Sequence, residues 1–494
     1  MSEYTLGIDI GTTGTKTIIL SATRGIVAQA SRASTLHSDQ PGYAEADPQQ
    51  WYENVKETVR EVLAMSGVAG GDIAAIATSG MVPAVIPVDA TGTPLRYAIL
   101  QNDARAHREV EQLAEDLSHV DLTTLTGSAL TQQSVAPTAV WLRNHEPEVW
   151  SRTAHLVGSY DWVLMALGAP AHVEQNWALE SGLVTISGDP VDEVFDRASL
   201  FRGILAPIVR PGTQVGELSE SAARDLGMAA GVPLVVGGAD HVLSAFAAGV
   251  ERNGDWLVKL GGAGDVLVAS DSIIVDPRLY LDAHPIPGLW LPNGCMATSG
   301  SLIRWFQTLV GGEELLQLDA EATSRRAGDV LCLPYFLGEK SPLHDPQLRG
   351  SFAGLHLGHT RADMYRSVLE AIAFGFRNHA DVFRSIGISL DRVMITNGGS
   401  KSTLWKQIHS EVLGTEMYPV VNHPGASLGA ALIAAVGVSV LDDWRDTRRF
   451  IVLDDAVQPD PANVAIYEEA YQEWLALGEA IRPISHRISR RTSV

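Results

Sequence analysis

The chain has few cysteines for its length, which limits the covalent framework it can build. Cys295 and Cys332 are the two cysteines among 494 residues, and they do not form a Cys-x-x-Cys motif. Disulfide-rich secreted domains need far more cysteine, so we expect two free thiols in a reducing compartment, with a single disulfide as the alternative. The N-terminal residues carry no basic segment and no long apolar run, which predicts no signal peptide and a cytoplasmic location.

Long apolar runs and positive charge are also scarce. No stretch of about 18 apolar residues occurs, so we expect no membrane span. The 36 basic residues are outnumbered by 58 acidic ones, which gives a net charge of −22 at pH 7. A surface of this sign repels nucleic acids and anionic lipid, so neither is expected as a partner. An anionic substrate such as ATP would need local hydrogen-bond donors or Mg²⁺ to bind.

The length and the pattern of apolar residues predict an α/β protein with two domains. A chain of 494 residues is too long for one ordinary core. Short β-type runs alternate with helical segments along the chain, which is typical of α/β architecture. We place the two domains at residues 1–248 and 249–480.

Two segments of the second half have a clear local prediction. Apolar residues three or four positions apart predict a long helix over 361–385, which begins at a capping pair formed by Thr360 and Asp363. The final residues 481–494 carry an excess of arginine and are expected to form a disordered basic tail.

The chain opens with the segment LGIDIGTTGTKTIIL, which predicts a strand, a glycine turn and a second strand. In the turn, the amide groups of Gly11, Thr12 and Thr13 could form an anion-binding concavity, to which Lys16 would add a cation. Asp9, at the end of the first strand, is a candidate ligand for Mg²⁺, which prefers oxygen. The segment is not a Walker A loop, because GxxxxGK[ST] does not occur in the chain. An ordinary β-hairpin is the alternative.

A similar pattern returns near the start of the second half, in the segment DWLVKLGGAGDVLVAS. Matching Gly261 to Gly11 also places Gly264 opposite Gly14, with apolar residues on both sides. Because each hairpin lies near the start of one half, the repeat favours a duplicated domain.

Two further strand ends carry candidate residues. Asp240 follows the apolar run PLVVGGA, at a strand end where open α/β sheets bind ligands. There it could accept a proton from a substrate hydroxyl that attacks phosphorus, or it could cap the following helix; the spacing leaves both open. Gly398 and Gly399, in ITNGGSKSTLWKQIH, offer bare backbone that could approach a purine or pyrophosphate, with a plain strand-to-helix turn as the alternative.

Several segments together resemble the FGGY carbohydrate kinases. The opening hairpin is similar to the first phosphate loop of the actin, Hsp70 and sugar-kinase superfamily, and RGSFAGLHLGHTRADMYRSVLEAIAFG resembles the C-terminal FGGY signature. GGAD resembles the catalytic-base segment of the family, GGSKSTLWKQIHSEVLG its adenosine-binding segment, and PLRYAILQNDARA its substrate-side segment. The resemblance implies an α/β fold of two actin-like, ribonuclease H-like domains, with the active site in the cleft between them. It also implies ATP- and Mg²⁺-dependent phosphorylation of a sugar or polyol.

The resemblance further implies roles for individual residues. Asp240 would be the general base, and Asp9 would organise Mg²⁺. ATP and its phosphates would contact Gly11, Thr12, Thr13, Lys16, Gly261, Gly262, Gly398 and Gly399. The sugar or polyol would contact Val82, Pro83, Asp103, Asp240 and His241.

The expected sugar pocket departs from the family pattern. Xylulose kinases of the family read SGQMHG where this chain reads SGMVPA, so Val82 and Pro83 replace a methionine–histidine pair. Proline cannot supply the hydrogen bond that histidine offers to a substrate hydroxyl. Gly262 and Ala263 likewise replace two hydroxyl-bearing residues of the second phosphate loop.

The default acceptor is a small ketose, such as the pentulose xylulose, or a polyol, and a homodimer is an open option for the assembly. Two alternatives also stay open. One is a catalytically weak sugar sensor on the same fold, and the other is an Hsp70- or actin-like ATPase.

Overall fold

The computed structural model describes residues 3–396 and 398–492. Its strands are β1 (Tyr4–Gly11), β2 (Gly14–Ser21), β3 (Gly25–Ala33), β4 (Glu45–Ala46), β5 (Ile73–Gly80), β6 (Ile86–Val88), β7 (Ala98–Ile99), β8 (His155–Val157), β9 (Val173–Glu174), β10 (Ile208–Val209), β11 (Gln214–Glu217), β12 (Pro233–Ala239), β13 (Asp255–Leu260), β14 (Gly264–Val268), β15 (Tyr280–Ala283), β16 (Trp290–Met296), β17 (Leu331–Leu333), β18 (Ser351–Ala353), β19 (Arg392–Thr396), β20 (Met417–Val421) and β21 (Val452–Leu453). Its helices are α1 (Pro48–Ser66), α2 (His107–Asp116), α3 (Leu122–Thr126), α4 (Val135–His145), α5 (Pro147–Arg152), α6 (Ser159–Leu167), α7 (Gln175–Glu180), α8 (Asp192–Arg197), α9 (Glu220–Leu226), α10 (Asp240–Ala247), α11 (Gly300–Leu309), α12 (Leu315–Thr323), α13 (Arg361–Ser385), α14 (Thr403–Leu413), α15 (Ala426–Gly437) and α16 (Pro461–Thr492). Short 3₁₀ turns lie at Gly70–Asp72, Arg202–Ile204, Gly398–Lys401 and Trp444–Phe450.

The described residues form two compact units. The first unit contains the chain through Ala247 together with Val275–Leu289 and Pro424–Phe450. The second unit contains Ala248–Ile274, Trp290–His423 and the chain from Ile451 onward. Two segments from the second half of the sequence therefore pack within the first unit.

The first unit is built on a six-stranded sheet in the order β11-β12-β5-β1-β2-β3. Strands β1, β5 and β12 are parallel, β2 is antiparallel to β1 and β3, and β11 is antiparallel to β12. Leu6, Ile8 and Ile10 of β1 are fully buried, as the alternating pattern of YTLGIDIG predicts. The carboxyl ends of the three parallel strands lie along one edge of the sheet.

In the second unit, strands β21-β20-β19-β13-β14-β16 are neighbours in that order. Strands β13, β19 and β20 are parallel, β14 is antiparallel to β13 and β16, and β21 is antiparallel to β20. This repeats the first unit strand for strand. The duplicated domain predicted from the two hairpins is confirmed.

Helix α15 belongs to the first unit because its small residues allow it to lie directly on the sheet. Thr5 Oγ1 on β1 donates a hydrogen bond to the carbonyl oxygen of Ala431 at 2.8 Å. A Cβ atom at Gly7 would lie only 2.6 Å from the Ala431 amide nitrogen. The small residues of ASLGAALIAAVG therefore form a buried helix. A larger side chain on the helix or on the facing strand β1 would push the two apart.

Helix α13 spans Arg361–Ser385, which confirms the helix predicted from apolar spacing. Its start is a capping box, in which Asp363 Oδ2 accepts a hydrogen bond from the amide of Thr360 at 2.8 Å. The buried face includes Val368 and Phe376.

The C-terminal residues correct the sequence analysis. The sequence predicts a disordered tail over 481–494, whereas helix α16 continues through Thr492. His486 Nε2 lies 2.7 Å from Asp345 Oδ2, and Ser489 is buried. The segment is ordered because one face of the helix is buried and makes contacts with distant residues. The excess of arginine in the sequence gives no sign of these contacts.

The state of the two cysteines and the character of the helices can be compared with the sequence analysis. Cys295 and Cys332 are free. Burial raises the pKa of the Cys332 thiol, so it is not an activated thiolate. Within the described ranges, none of the helices combines the length and the apolar character that a membrane crossing requires.

Candidate active site

The first hairpin ends in a bare, polar tip. Gly11 pairs with Gly14 across the strands, which leaves Thr12 and Thr13 as the turn. Over residues 3–396 and 398–492, the amide groups of these two threonines donate no hydrogen bond, and Thr13 is exposed. A Cβ atom at Gly14 would lie 2.3 Å from the Arg32 carbonyl oxygen, so glycine is required there for strand packing. The tip therefore presents amides and hydroxyls that can bind an anion.

The two charged side chains of this hairpin lie opposite each other. Asp9 on β1 pairs in register with Lys16 on β2, and both side chains are half-buried. Lys16 Nζ donates a hydrogen bond to the Pro424 carbonyl oxygen at 3.1 Å. Because an ammonium group has three N–H donors, this bond leaves Lys16 able to meet a phosphate as well.

Asp240 lies at the carboxyl end of β12 and begins helix α10. Its side chain is 30% exposed. A helix-capping aspartate accepts a hydrogen bond from an amide two or three residues later. In the part of the chain that the structure describes, no amide donates to the Asp240 carboxylate. The carboxylate therefore does not serve as a cap and is available to a ligand.

His241 connects Asp240 to two further carboxylates of the same unit. Its Nδ1 atom lies 3.5 Å from Asp240 Oδ1. Its Nε2 atom lies 2.7 Å from Asp282 Oδ2 and 3.9 Å from Glu180 Oε1. Burial lowers the pKa of His241, but attraction to Asp282 and hydrogen bonds to Asp240 and Asp282 outweigh this effect and raise the pKa well above its usual value. The neighbouring carboxylates thus favour the protonated form of the imidazole.

Glu180 is carried to this cluster by helix α7, whose start is fixed by Glu174. The Glu174 carboxylate accepts hydrogen bonds from the Trp177 amide at 3.3 Å and from the Tyr160 hydroxyl at 3.0 Å. Burial raises the pKa of Glu174 to about 7. Burial, together with repulsion from Asp282, also raises the pKa of Glu180.

The segment with Val82 and Pro83 follows β5 and offers little hydrogen-bonding capacity. Val82 is 3% exposed, and Pro83 is also buried. The next residue, Ala84, accepts a hydrogen bond from Trp177 Nε1 at 2.9 Å, which fixes the segment against α7. Both side chains are apolar and buried.

Asp103 is fully engaged by its own surroundings. Its two carboxylate oxygens bind the Arg105 guanidinium at 2.9 and 2.7 Å, and Oδ2 also accepts a hydrogen bond from the Ala44 amide at 2.6 Å. Arg105 in turn lies over the Tyr43 ring at 3.9 Å. In this structure Asp103 organises Arg105, with no oxygen turned to open solvent.

In the second unit, the turn after β13 is fastened to the start of helix α11. The carbonyl oxygen of Gly261 accepts from the Gly300 amide at 2.8 Å, and that of Gly262 accepts from the Ser299 amide at 2.9 Å. A Cβ atom at Gly262 would have no neighbour within 4 Å. The carbonyl side of the turn is thus occupied, while Gly262 faces open space.

Gly398 and Gly399 form a 3₁₀ turn after β19, and they differ in their surroundings. A Cβ atom at Gly399 would lie 2.0 Å from the Trp405 ring, so packing alone requires glycine there. A Cβ atom at Gly398 would meet nothing within 4 Å. Only Gly398 presents bare backbone to a ligand.

Asp240 and His241 are consecutive in the sequence, and the structure adds Glu180 and Asp282 to them. The sequence analysis did not predict these two acids. Each is a single acidic residue, in NWALESG and YLDAH, with no neighbouring motif. The one available signal was the adjacency of Asp240 and His241, since a buried histidine needs a partner for each ring nitrogen.

Comparison with known proteins agrees with this architecture. The chain matches the model of the FGGY family of carbohydrate kinases, N-terminal domain, over residues 4–247, and the C-terminal domain over residues 275–438. It is 29% identical over 490 residues to the xylulose kinase of Staphylococcus epidermidis, covering 97% of each chain.

Solved structures show the same fold. The xylulose kinase from Rhodospirillum rubrum has a TM-score of 0.92 and 38% identity, covering 98% of this chain and 100% of that one. The glycerol kinase of Plasmodium falciparum has a TM-score of 0.87 at 19% identity, covering 96% of this chain and 98% of that one, which shows the fold alone.

The repeated sheet and the hairpin tip define a protein of the actin-like ATPase fold with two ribonuclease H-like domains. Within that class, the chain belongs to the FGGY family of carbohydrate kinases, and it is an ATP-dependent sugar kinase.

Proposed function

We propose that this kinase transfers the γ-phosphoryl group of ATP to a hydroxyl of a small ketose or polyol, with a pentulose such as xylulose as the default acceptor. The observation that carries the proposal is the Asp240 carboxylate, which lies at the carboxyl end of β12 without capping the following helix. Similarity to xylulose kinases supports the choice of a pentulose.

Asp240 acts as the general base. Its carboxylate accepts the proton of the acceptor hydroxyl while that oxygen forms a bond to the γ-phosphorus. The bond between the γ-phosphorus and the bridging oxygen breaks, and ADP leaves. With 30% of its side chain exposed at the end of a buried strand, Asp240 is both reachable and firmly placed.

The first hairpin fits the triphosphate and a Mg²⁺ ion. The amides of Thr12 and Thr13 and the cation of Lys16 supply donors to phosphate oxygens. Asp9 would hold Mg²⁺, because carboxylate oxygens suit this ion. When bound, Mg²⁺ supplies charge neutralisation at the phosphates. Gly11 keeps the backbone of the tip accessible.

In the second unit, the open positions of Gly262 and Gly398 support a role in nucleotide binding. Gly261 contributes by fixing the turn to α11. Gly399 contributes by letting Trp405 pack beneath the 3₁₀ turn.

On the sugar side, three candidate side chains offer little hydrogen-bonding capacity to an acceptor. Val82 and Pro83 are apolar and buried, and Asp103 is bound by Arg105. A pocket of this kind discriminates weakly between acceptors that differ by one hydroxyl. Pentuloses and polyols of similar size are therefore expected to compete as acceptors.

The test is a screen of ADP release over pentuloses, hexuloses, tetritols and pentitols, with NMR identification of the phosphorylated product. We expect a sugar phosphate with at least one pentulose or polyol. ATP hydrolysis that ignores every acceptor, or tight sugar binding without a phosphorylated product, would contradict the proposed function.

The role of Asp240 is tested with Asp240→Asn. This variant should lower kcat by about 10³-fold or more while the Kd for ATP stays within about twofold, because the amide cannot accept the proton. Asp196→Asn, an 81% exposed position on α8, is the matched control. Turnover of Asp240→Asn close to that of the control would remove Asp240 from the mechanism.

A further inference from the structure

A carboxylate–imidazole–carboxylate chain runs from Asp282 through His241 to the proposed base, Asp240. Asp282 is 2% exposed in its side chain and approaches His241 Nε2 at 2.7 Å. On the other side of the ring, Nδ1 faces Asp240 Oδ1 at 3.5 Å. Helices α10 and α7 and strand β15 each contribute to this cluster, with Glu180 as its third acid.

Both ring nitrogens of His241 face carboxylate oxygens, which accept hydrogen bonds and do not donate them when ionised. A neutral imidazole can donate from only one nitrogen. With Nε2 hydrogen-bonded to Asp282 and Nδ1 within ion-pair distance of Asp240, a ring that carries two protons matches both carboxylates. The raised pKa of His241 agrees with this arrangement.

The pair with Asp282 also fixes the plane of the ring. Asp282 Oδ2 holds Nε2 at a short distance, and the rigid ring then sets where Nδ1 points. Because Nδ1 faces Asp240 Oδ1 at 3.5 Å, the second oxygen, Oδ2, is left to meet the hydroxyl of the acceptor. The positive ring also offsets repulsion among Asp240, Asp282 and Glu180.

We propose that His241 is a positioning residue, whose doubly protonated ring is anchored by Asp282 and orients the Asp240 carboxylate for proton abstraction. This inference rests on the proposed function, since it assigns a task to the environment of the proposed base. It differs from a role for His241 in contacting the sugar, because the ring nitrogens are directed to carboxylates.

Two substitutions of His241 distinguish the contributions of its two ring nitrogens. In His241→Asn the amide nitrogen takes roughly the place of Nδ1, and in His241→Gln it takes roughly that of Nε2. We expect His241→Gln to lower kcat about 10²-fold and His241→Asn to lower it several-fold less, with KM for ATP unchanged in both. Asp282→Asn should lower kcat by an intermediate factor. His119→Gln, at an exposed position, is the control.

If His241 had a purely structural role, both variants would have a lower melting temperature and a smaller fraction of active enzyme. Their kcat values per active site would then be equal. Equal kcat in His241→Gln and His119→Gln, with Asp240→Asn inactive, would overturn this inference and leave the proposed function intact. An active Asp240→Asn would instead overturn the proposed function.

Nitrogen-15 NMR of histidine-labelled protein tests the ring without any substrate. Signals that vanish in His241→Gln should show both ring nitrogens protonated at pH 7.5. Asp240→Asn should shift mainly the Nδ1 signal, and Asp282→Asn mainly the Nε2 signal. A ring with one proton would overturn the inference, as would a neutral ring that binds added Mn²⁺ together with Glu180 and Asp282.

Discussion

In the first unit the hairpin β1–β2 closes with Thr12 and Thr13, whereas in the second unit β13–β14 closes with Gly261, Gly262 and Ala263. Both hairpins occupy the same place in sheets of the same strand order. The threonine tip keeps its amides available, while the carbonyls of the glycine tip are bound to the start of α11. Equivalent backbone thus supports different surface chemistry.

The charges of the two hairpins are also reversed. In the first, the acid Asp9 lies on the leading strand and Lys16 on the returning strand. In the second, Lys259 precedes Asp265, and the two form an ion pair of 3.0 Å. In the first hairpin, Lys16 also donates a hydrogen bond to the Pro424 carbonyl oxygen. The comparison teaches that the two units share one sheet order while the side chains at their hairpins differ.

Among changes to the two hairpins, the largest expected effect comes from the acid of the first. Asp9→Asn should lower kcat by about 10²-fold or more and raise the Mg²⁺ concentration needed for half-maximal rate, because an amide is a weaker ligand for this ion. Asp265→Asn, which breaks the ion pair of the second hairpin, should change kcat far less. Initial rates over a Mg²⁺ titration make the measurement. Equal losses in the two variants would show that the hairpins do not differ in this respect.

A smaller effect is expected from the glycines, and it concerns stability. Gly14→Ala should lower the free energy of unfolding by about 1–3 kcal/mol, because the new Cβ atom would collide with the Arg32 carbonyl oxygen at 2.3 Å. Gly262→Ala, in open space at the other tip, should be close to neutral. Urea denaturation of both variants gives the comparison. A neutral Gly14→Ala would mean that β2 and β3 separate more easily than their packing indicates.

The smallest expected effect is a dependence of stability on pH, to which one buried carboxyl group of each unit contributes. Burial raises the pKa of Glu174 in the first unit and of Glu370 in the second to about 7. Glu370 accepts a hydrogen bond from the Arg366 guanidinium at 2.8 Å, whereas Glu174 accepts from the Tyr160 hydroxyl and the Trp177 amide. Because the unfolded carboxyl loses its proton near 4.5, the stability that each group contributes is complete below that pH and is lost as pH rises through about 7.

Glu174→Gln removes this titration from the first unit. The melting temperature of the unchanged protein should fall by a few degrees between pH 5 and pH 8, and the fall should be smaller in Glu174→Gln. Glu193→Gln, at an exposed position of α8, should keep the slope of the unchanged protein. Differential scanning calorimetry at fixed ionic strength makes the measurement, and identical slopes in all three proteins would contradict the assignment.

Much of the fold could be predicted because it depends on local patterns. The alternation in YTLGIDIG gives a buried strand, and the spacing of apolar residues gives helix α13 with its cap at Thr360. The C-terminal segment could not be predicted in this way. Its order depends on contacts such as His486 with Asp345, which lie far apart in the sequence.

By itself, the sequence determined the two hairpins, their duplication and the position of Asp240 at a strand end, because glycine and alternating apolar residues act over a few neighbouring positions. Only the tertiary structure decided that Asp240 does not cap its helix, that Asp103 is bound to Arg105 and that Asp282 reaches His241. These are properties of side chains brought together from distant segments. Their partners follow from how the strands and helices pack, which no local pattern encodes.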